Sequence, residues 1–382
     1  MIYDAILLGL GAMGSAAAYH LARRGHRVLG LDLFTPPHNL GSSHGQTRII
    51  REAYFEHPLY VPLVQKAYEN WAELEHTTGQ QLILSTGGAM IGHAEGVLVR
   101  GARASAATHH LPHEMLSAQA LRRRFPAFHP SGEMIAVWEP RAGILFPEKC
   151  IAAHLASARA LGATLRFEEP ARSWRINGSG VEVTTAKNQY VASRLLITAG
   201  AWLTQLVPDL HLPLVCARQA LFWFKPKSNP SHFLPKHFPI FLWEYEPDHI
   251  FYGFPDLGEG IKLAIHHEGV LTDPVRIKRE VDPQEARGLR TILRQFMPEA
   301  EGDLLNATVC MYTNTPDSHF LIDHHPRHPQ ALLASPCSGH GFKFSSALGE
   351  ILADLLTTGR TEFDLSPFRL ARFTQTGASH SS

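Results

Sequence analysis

The first thirty residues alternate between apolar segments and glycine turns in the pattern of a strand, a helix and a second strand. Residues 3–8 form a short, mostly apolar run, which predicts a buried strand. Residues 12–24 combine alanine, leucine and aromatic side chains as a helix does, and Gly25 follows where a left-handed C-terminal cap belongs. Residues 27–32 predict the second strand. The chain is therefore expected to begin with a βαβ unit.

Three glycines between the first strand and the helix have the spacing of a dinucleotide-binding turn. Gly9 allows the tight turn, Gly11 lets the backbone approach a pyrophosphate, and Gly14 lets the helix pack close to the strand. The phosphates would lie at the helix N-terminus, which favours anions. Asp32 ends the second strand, where a carboxylate accepts hydrogen bonds from an adenosine ribose. We expect a dinucleotide site, with a purely structural βαβ unit as the alternative.

Hydrophobic periodicity over the rest of the chain predicts an α/β protein with interleaved segments. It predicts two further helices and three strands, at 57–75, 147–161, 164–167, 181–185 and 194–198. Alternating, aromatic-rich segments between residues 214 and 266 are typical of an antiparallel sheet, which would form a second domain inserted in the first. Residues 377–382 are expected to be a frayed tail.

Composition and charge exclude several classes of protein. The chain has 382 residues, 45% of them hydrophobic, which is enough for two substantial domains. Basic and acidic residues balance at 35 each, so we expect no nucleic-acid partner and interpret the arginine run 122–124 as a solvated helix end. No segment approaches ~18 uninterrupted apolar residues, so no membrane partner is expected. The first strand begins at residue 3, which leaves no room for a cleavable signal, so we expect a cytoplasmic protein.

The cysteines and histidines form no recognisable disulfide or metal motif. Cys150, Cys216, Cys310 and Cys337 include no close pair, so each is expected to be an independent thiol. Several of the 24 histidines occur as doublets, but no His-Glu-x-x-His arrangement is present. We expect no metal site.

Two later segments end in small residues that would let a flat ligand come close. The strand at 194–198 leads into Gly200, although backbone packing alone explains such an ending equally well. The run 331–346 predicts a strand, a loop containing Gly339 and Gly341, and the start of a helix whose N-terminus favours an anionic or electron-rich group.

Lys343 is unusual because it falls in the predicted first turn of that helix. A cation there opposes the helix dipole and requires a compensating anion, either a structural carboxylate or a bound ligand. The neighbouring glycine loop favours the ligand.

Together these segments resemble the monomeric sarcosine oxidase and N-methyltryptophan oxidase family. Besides the glycine turn, the resemblance rests on strings at 43–51 (SHGQTRIIR), 252–255 (YGFP), 262–263 (KL), 310–313 (CMYT) and 338–343 (SGHGFK). It covers nearly the whole chain. It implies FAD rather than NAD as the cofactor, and oxidation of a secondary N-methyl amine with O2 as the electron acceptor.

The resemblance also implies an architecture like that of glycine oxidase and p-hydroxybenzoate hydroxylase. A Rossmann-like FAD-binding domain is expected over residues 1–84, 145–214 and 318–382. An antiparallel-sheet substrate domain is expected over residues 85–144 and 215–317. A monomer is expected.

The resemblance assigns substrate-side roles by position. Arg51 and Lys343 resemble the pair that holds the substrate carboxylate. His266 and Tyr312 match active-site positions around the amine, and Tyr252 lines the pocket. The chemistry fits these residue types, because an apolar enclosure favours a neutral amine and a fixed carboxylate orients the methyl group over the flavin.

Cofactor-side roles follow in the same way. Cys310 resembles the cysteine that bonds through sulfur to the flavin 8-methyl group, a choice that composition alone does not make over Cys337. Arg48 and Lys262 match cations close to the flavin ring, and Lys262 is the candidate that stabilises charge developing on reduced oxygen. The remaining FAD contacts are expected from Gly9, Gly11, Gly14, Asp32, Ser43, His44, Thr47, Gly200, Gly339, Gly341 and Lys343.

The substrate stays open at this point. Phe55 and His57 differ from what is expected in sarcosine oxidases, whereas Glu56 matches. Residues 363–373 resemble the N-methyltryptophan enzyme more, but we expect them on the surface. Sarcosine or another small N-methyl amino acid is favoured, with N-methyltryptophan, pipecolate and fructosyl amino acids as alternatives.

Two other functional classes compete with an amine oxidase. An NAD(P)-dependent dehydrogenase would use the same first turn but would leave Cys310 and the late glycine loop without a task. A non-catalytic flavoprotein, such as a redox sensor, would need no pair of cations for a substrate carboxylate.

Overall fold

Residues 2–375, which the computed structural model describes, form twenty strands and nine α-helices in mixed order. The strands are β1 Ile2–Leu8, β2 Val28–Leu31, β3 Arg48–Ile50, β4 Ile83–Ser85, β5 Gly88–His93, β6 Glu114–Ser117, β7 Met134–Glu139, β8 Gly143–Leu145, β9 Thr164–Arg166, β10 Ser173–Asn177, β11 Gly180–Thr184, β12 Gln189–Ile197, β13 Val215–Phe224, β14 Ile240–Glu246, β15 His249–Phe254, β16 Ile261–Ile265, β17 Val270–Thr272, β18 Leu304–Asn314, β19 Leu321–His325 and β20 His328–Ser335. The tail expected at 377–382 lies outside the described residues.

The α-helices include the three that the sequence predicts at 12–24, 57–75 and 147–161. They are α1 Ala12–Arg23, α2 Val61–Thr78, α3 Val97–Thr108, α4 Ala118–Arg124, α5 Pro147–Ala160, α6 Leu203–Leu206, α7 Arg287–Phe296, α8 Ser345–Thr357 and α9 Ala371–Gln375. The predicted helix at 57–75 is α2, preceded by a 3-10 turn at Pro58–Tyr60, and the one at 147–161 is α5 with Pro147 in its first turn. None of the described helices is long and apolar enough to cross a membrane.

The first sheet carries the glycine turn. Its parallel strands lie in the order β9, β2, β1, β12 and β20, and β11, β10 and β19 extend it with antiparallel pairs. Parallel strands bring their carboxyl ends to one edge of the sheet, where ligands bind in open α/β folds. The glycine turn after β1, Asp32 after β2, residues 198–200 after β12 and the glycine loop after β20 therefore gather at that edge.

Helices α1, α5 and α8 cover one face of this sheet. The contacts of α1 with α5 and α8 enclose a core that includes Leu7, Ala17, Ile151 and Leu348. The predicted βαβ unit is confirmed, and Gly25 has the left-handed backbone, with φ +81°, that ends α1.

A second, larger sheet contains the aromatic-rich segments. Its order is β17, β13, β16, β15, β14, β5, β7 and β6, with β18 along the other side of β13. All pairs are antiparallel except β5 with β14, so the expected antiparallel sheet has one parallel pair. Aromatic side chains such as Phe128, Trp243 and Phe251 fill its core against α7.

A small third sheet of β3, β8 and β4 carries the two predicted arginines. Arg48 begins β3 and Arg51 follows its last residue, Ile50. One guanidinium group thus extends from the first residue of a short strand and the other from the residue just after it.

Candidate active site

A cavity of about 430 Å³ lies where the carboxyl edge of the first sheet faces β15, β16 and β18 of the second sheet. All of the predicted site residues line it except Gly14, which is buried in the first turn of α1, and His44, which lines a neighbouring surface depression. Segments that are distant in sequence are therefore brought together around one cavity.

The glycine turn has the geometry of a phosphate cradle. Gly9 has φ +94°, and a Cβ on Gly14 would lie 1.8 Å from the Gly9 carbonyl oxygen, so both positions require glycine. A Cβ on Gly11 would meet nothing within 4 Å, and α1 begins there without a side-chain cap or an acidic residue in its first turn. This helix N-terminus opens into the cavity and can accept an anion.

Asp32 holds the turn from the neighbouring strand. Its carboxylate accepts hydrogen bonds from the backbone N–H of Leu10 at 2.6 Å and of Phe34 at 2.8 Å. Burial raises the pKa of Asp32. A cavity with a glycine cradle, an open helix N-terminus and a carboxylate just after β2 fits a dinucleotide such as FAD.

Cys310 is the cavity-lining cysteine that lies against a cation. Its Sγ is 3.4 Å from Nη2 of Arg48. The same Nη2 donates a hydrogen bond to the Ser42 carbonyl, and Nη1 of Arg48 donates one to the Thr47 carbonyl. Cys337 lines the same cavity, but its Sγ lies 3.2 Å from the Ser335 hydroxyl, and burial raises the pKa of the Cys337 thiol. The environment therefore distinguishes Cys310 from Cys337, as composition could not.

Arg51 is a buried cation with an unused hydrogen-bond donor. Its Nη2 pairs with Glu56 at 2.6 Å, its Nη1 donates to the Ala53 carbonyl at 3.0 Å, and its guanidinium lies over the rings of Tyr54 and Phe55. Among the described residues, its Nε has no hydrogen-bond partner although it is buried. A buried donor without a partner is costly, so an anion in the cavity would be favoured here.

Lys343 lies beside Arg51 in the cavity. It belongs to a 3-10 turn, Phe342–Phe344, directly before α8, and its Nζ donates to the His340 carbonyl at 2.7 Å and to the Tyr54 hydroxyl at 3.3 Å. Among the described residues no carboxylate lies at ion-pair distance from it; Glu56, which pairs with Arg51, is the carboxylate that opposes its charge from farther away. Burial, together with the nearby Arg51, lowers the pKa of Lys343 to about 7.

Lys262 is enclosed by a loop of the first half of the chain. Its Nζ donates to the carbonyls of Gly45 and Thr47 at 2.6 and 2.9 Å and to the Thr47 hydroxyl at 3.0 Å. The rings of Phe254 and Trp223 lie 4.8 and 5.5 Å from the ammonium. Burial, and then Arg48, hold the pKa of Lys262 well below its usual value.

His266, Tyr312 and Tyr252 form an aromatic wall. Nδ1 of His266 lies 3.3 Å from the Tyr312 hydroxyl, and the Tyr252 ring meets the His266 ring edge-on at 6.0 Å. Burial lowers the pKa of His266 far below its usual value, so the imidazole is neutral at physiological pH. This wall presents no formal charge.

Sequence reasoning gave no role to several residues of this site. The Tyr54 hydroxyl forms a hydrogen bond with Nδ1 of His340 at 2.6 Å, and Tyr54 also contacts Arg51 and Lys343. Glu56 pairs with Arg51. Burial alone would raise the pKa of Glu56, but Arg51, His340 and Lys343 lower it, so it is a carboxylate at neutral pH. These residues follow Arg51 in an irregular segment, where no periodicity marks the side chains that turn inward.

The described residues contain no group of three or more His, Cys, Asp or Glu side chains that could hold a metal ion. The polar groups of the cavity are instead arranged for an organic ligand: a phosphate cradle after β1 and a pair of buried cations, Arg51 and Lys343, after β3 and β20. Fold and site together define a flavin-type dinucleotide oxidoreductase.

Comparison with known proteins agrees with this class. The chain belongs to the DAO family of FAD dependent oxidoreductases, whose profile matches residues 4–355. It is 45% identical over 370 residues to a monomeric sarcosine oxidase of Streptomyces avermitilis, covering 96% of each chain. It is 34% identical to an N-methyl-L-tryptophan oxidase of Yersinia pestis, covering 98% of this chain and all of that one.

Solved structures of lower identity share the fold. NikD, an amino acid oxidase essential for nikkomycin biosynthesis, superposes with a TM-score of 0.83 at 24% identity over 96% of this chain and 97% of that chain. Glycine oxidase from Geobacillus kaustophilus superposes with a TM-score of 0.81 at 20% identity, covering 97% and 98%. The predicted fold class, the oxidoreductase class and FAD as the cofactor are confirmed, and the nicotinamide-dependent alternative is wrong.

Proposed function

We propose that the protein oxidises a small secondary N-methyl amino acid, sarcosine or a close analogue. In this reaction the amino acid, O2 and water give the primary amino acid, formaldehyde and H2O2. The observation that carries the proposal is the pair of buried cations, Arg51 and Lys343, in the same cavity as the dinucleotide cradle. The names of the relatives, monomeric sarcosine oxidase and N-methyl-L-tryptophan oxidase, support the same reaction class.

Arg51 and Lys343 bind and orient the substrate carboxylate. Arg51 lines the cavity with a buried guanidinium, and Lys343 has one N–H beyond those given to His340 and Tyr54. A carboxylate between them offsets the repulsion of two buried cations and fixes the N-methyl group. Positioning of this kind accelerates a reaction without any acid or base.

The aromatic wall keeps the substrate amine neutral. A neutral His266 beside Tyr312 and Tyr252 adds no charge, and desolvation disfavours an ammonium ion in the same space. The amine lone pair is then available for oxidation. FAD, held by the cradle after β1, supplies the two-electron chemistry that links amine oxidation to O2.

Lys262 and Arg48 supply fixed positive charge on the cofactor side. The ammonium is buried and the guanidinium is partly buried, so their fields act in a lower dielectric than that of water, where they stabilise negative charge more strongly. We assign to Lys262 the stabilisation of charge on oxygen as it is reduced. Arg48 lies against Cys310, and we propose that the Cys310 sulfur would hold the flavin through a covalent bond that replaces one hydrogen of its 8-methyl group, the two electrons released passing finally to O2.

We further propose the domain boundaries that the sequence suggests. Residues 1–84, 145–214 and 318–382 form the FAD-binding domain, and residues 85–144 and 215–317 form the substrate domain. The protein acts as a monomer, as the name of its bacterial relatives supports. The four free thiols support a reducing compartment such as the cytoplasm.

An oxygen-consumption screen of the purified yellow protein tests this function. The panel holds sarcosine, other small N-methyl amino acids, N-methyltryptophan, pipecolate and a fructosyl amino acid, each also assayed for H2O2. We expect the highest kcat/KM for a small N-methyl amino acid. The absence of oxygen consumption with every member would reject the proposal.

A further inference from the structure

The loop around Lys262 determines where the ammonium charge lies. An ammonium group has three N–H donors, and those of Lys262 are taken by the Gly45 carbonyl, the Thr47 carbonyl and the Thr47 hydroxyl. A shift of residues 45–47 would therefore move the charge or leave buried donors without acceptors.

This loop has a backbone conformation that needs support. Gly45 has φ +92° and the next residue, Gln46, has φ +70°. A non-glycine residue in the left-handed region carries a conformational cost and persists only where its surroundings hold it.

Glu148 provides that support from the first turn of α5. Its Oε1 accepts hydrogen bonds from the backbone N–H of Gly45 at 2.7 Å and of Gln46 at 3.0 Å. Two consecutive N–H groups thus converge on one carboxylate oxygen, while the carbonyls of Gly45 and Thr47 converge on Lys262. Glu148 itself lines the surface depression beside the loop rather than the main cavity.

We propose that Glu148 is a positioning residue for the oxygen half of the reaction, acting on Lys262 through the Gly45–Thr47 loop. The inference rests on the proposed function, in which Lys262 stabilises charge on reduced oxygen. Glu148 holds the loop, the loop holds the ammonium, and the ammonium meets the developing negative charge.

Electrostatics act in the same direction. The charged or titratable groups that face Lys262 are Arg48 from β3, Cys310 from β18, His44 from the loop and Glu148 from α5. Burial lowers the pKa of His44 to about 3, so that ring carries no charge. Arg48 lowers the pKa of Lys262 and Glu148 raises it. Removing the Glu148 charge should therefore lower the apparent pKa of the step that needs protonated Lys262.

The test compares Glu148→Gln with Glu259→Gln and Lys262→Met in the FAD-loaded protein. Within residues 2–375, Glu259 accepts a hydrogen bond from the side chain of Gln46 and none from the loop backbone, so Glu259→Gln removes a charge near the same loop without releasing that backbone. Stopped-flow spectroscopy follows anaerobic bleaching by sarcosine and reoxidation by O2 separately, each over a range of pH. Hydrogen–deuterium exchange of a peptide covering residues 44–48 reports the loop independently of activity.

We expect Glu148→Gln to slow reoxidation about tenfold while bleaching stays within about twofold of the wild-type rate. The pH at which reoxidation declines should fall, and amide exchange over residues 44–48 should rise. Glu259→Gln should leave both half-reactions unchanged. Glu148→Asp, which keeps the charge on a shorter side chain, should give intermediate reoxidation and serves if the glutamine variant fails to fold.

The outcomes separate the inference from the function on which it rests. Wild-type reoxidation in both Glu148 variants, with slow reoxidation in Lys262→Met, would overturn the inference alone. Equal slowing of bleaching and reoxidation would also overturn it, because that result indicates general loss of structure. Wild-type reoxidation in Lys262→Met would instead remove the role proposed for Lys262.

Discussion

Replacement of Arg51 by methionine should impair oxidation of substrates with a carboxylate and spare those without one. The change removes a charge-assisted contact from a guanidinium whose Nε has no other partner among the described residues. Such a contact contributes about 1.5–3 kcal/mol, and the poorly paired carboxylate adds to the loss. Because Lys343 remains, we expect a total loss of about 2–4 kcal/mol in transition-state binding, or roughly 30- to 900-fold in kcat/KM.

The assay compares sarcosine with an N-methylalkylamine of similar size that lacks the carboxylate. Arg23→Met is the control for loss of an arginine, because Arg23 at the end of α1 and its partner Glu73 are both exposed. We expect the Arg23 variant to behave as the wild type with both amines. An equal loss for both amines in Arg51→Met would refute the assignment.

Stability has to be separated from binding in this experiment. Arg51 and Glu56 form a buried pair, and breaking such a pair costs about 3–5 kcal/mol because the remaining charge is uncompensated. Adding Glu56→Gln to Arg51→Met removes the stranded carboxylate. Thermal melting should show partial recovery of stability in the double variant, whereas the loss of kcat/KM for sarcosine should persist.

Two further predictions concern Cys310 and Lys343. Acid precipitation should leave the yellow colour in the pellet of the wild-type protein, and Cys310→Ala should release it into the supernatant. Two results would contradict the proposed bond: flavin that washes out of the wild-type protein, or flavin that is released by Cys337→Ala and not by Cys310→Ala. The pKa of Lys343 is lowered to about 7 by burial, so Lys343 is a cation below that pH and loses its charge as the pH rises through 7. The Kd of acetate can be measured by flavin absorbance. It should therefore be nearly constant just below pH ~7 and increase above that pH by up to about tenfold per pH unit. Lys343→Met should bind acetate weakly and without this pH dependence. A Kd that falls between pH 7 and 9 would contradict the assignment.

The βαβ unit could be predicted from sequence because its signals are local. Gly9, Gly11, Gly14, the cap at Gly25 and the acid at Asp32 all lie in one short stretch, from the residue after β1 to the residue after β2. Backbone sterics and helix periodicity decide such features over a few residues.

The second sheet was predicted less completely because its pairing is not local. The parallel pair of β5 with β14 joins segments about 150 residues apart, and nothing in either segment specifies its partner. Alternation predicts that a strand has one buried face, but not which strand lies beside it.

The site divides in the same way. Its cations and Cys310 lie in strings that the family resemblance identified, whereas Glu56 and Glu148 were given no role. A carboxylate near a helix start or in an irregular segment is usually solvated. Only the folded chain shows that Glu148 accepts hydrogen bonds from two consecutive N–H groups of a loop that lies 103 and 102 residues earlier. Whether Cys310 or Cys337 meets a cation was equally hidden, because Arg48 lies 262 residues before Cys310.

The most direct measurement of the central proposal is the stoichiometry of turnover with sarcosine. Purified yellow protein is mixed with a limiting amount of sarcosine in air-saturated buffer, and O2 consumed, H2O2 formed, formaldehyde and glycine are all quantified. We expect that each equals the sarcosine added and that Arg51→Met forms all three products far more slowly. Oxygen uptake without formaldehyde, or no uptake with sarcosine or any other N-methyl amino acid, would contradict it.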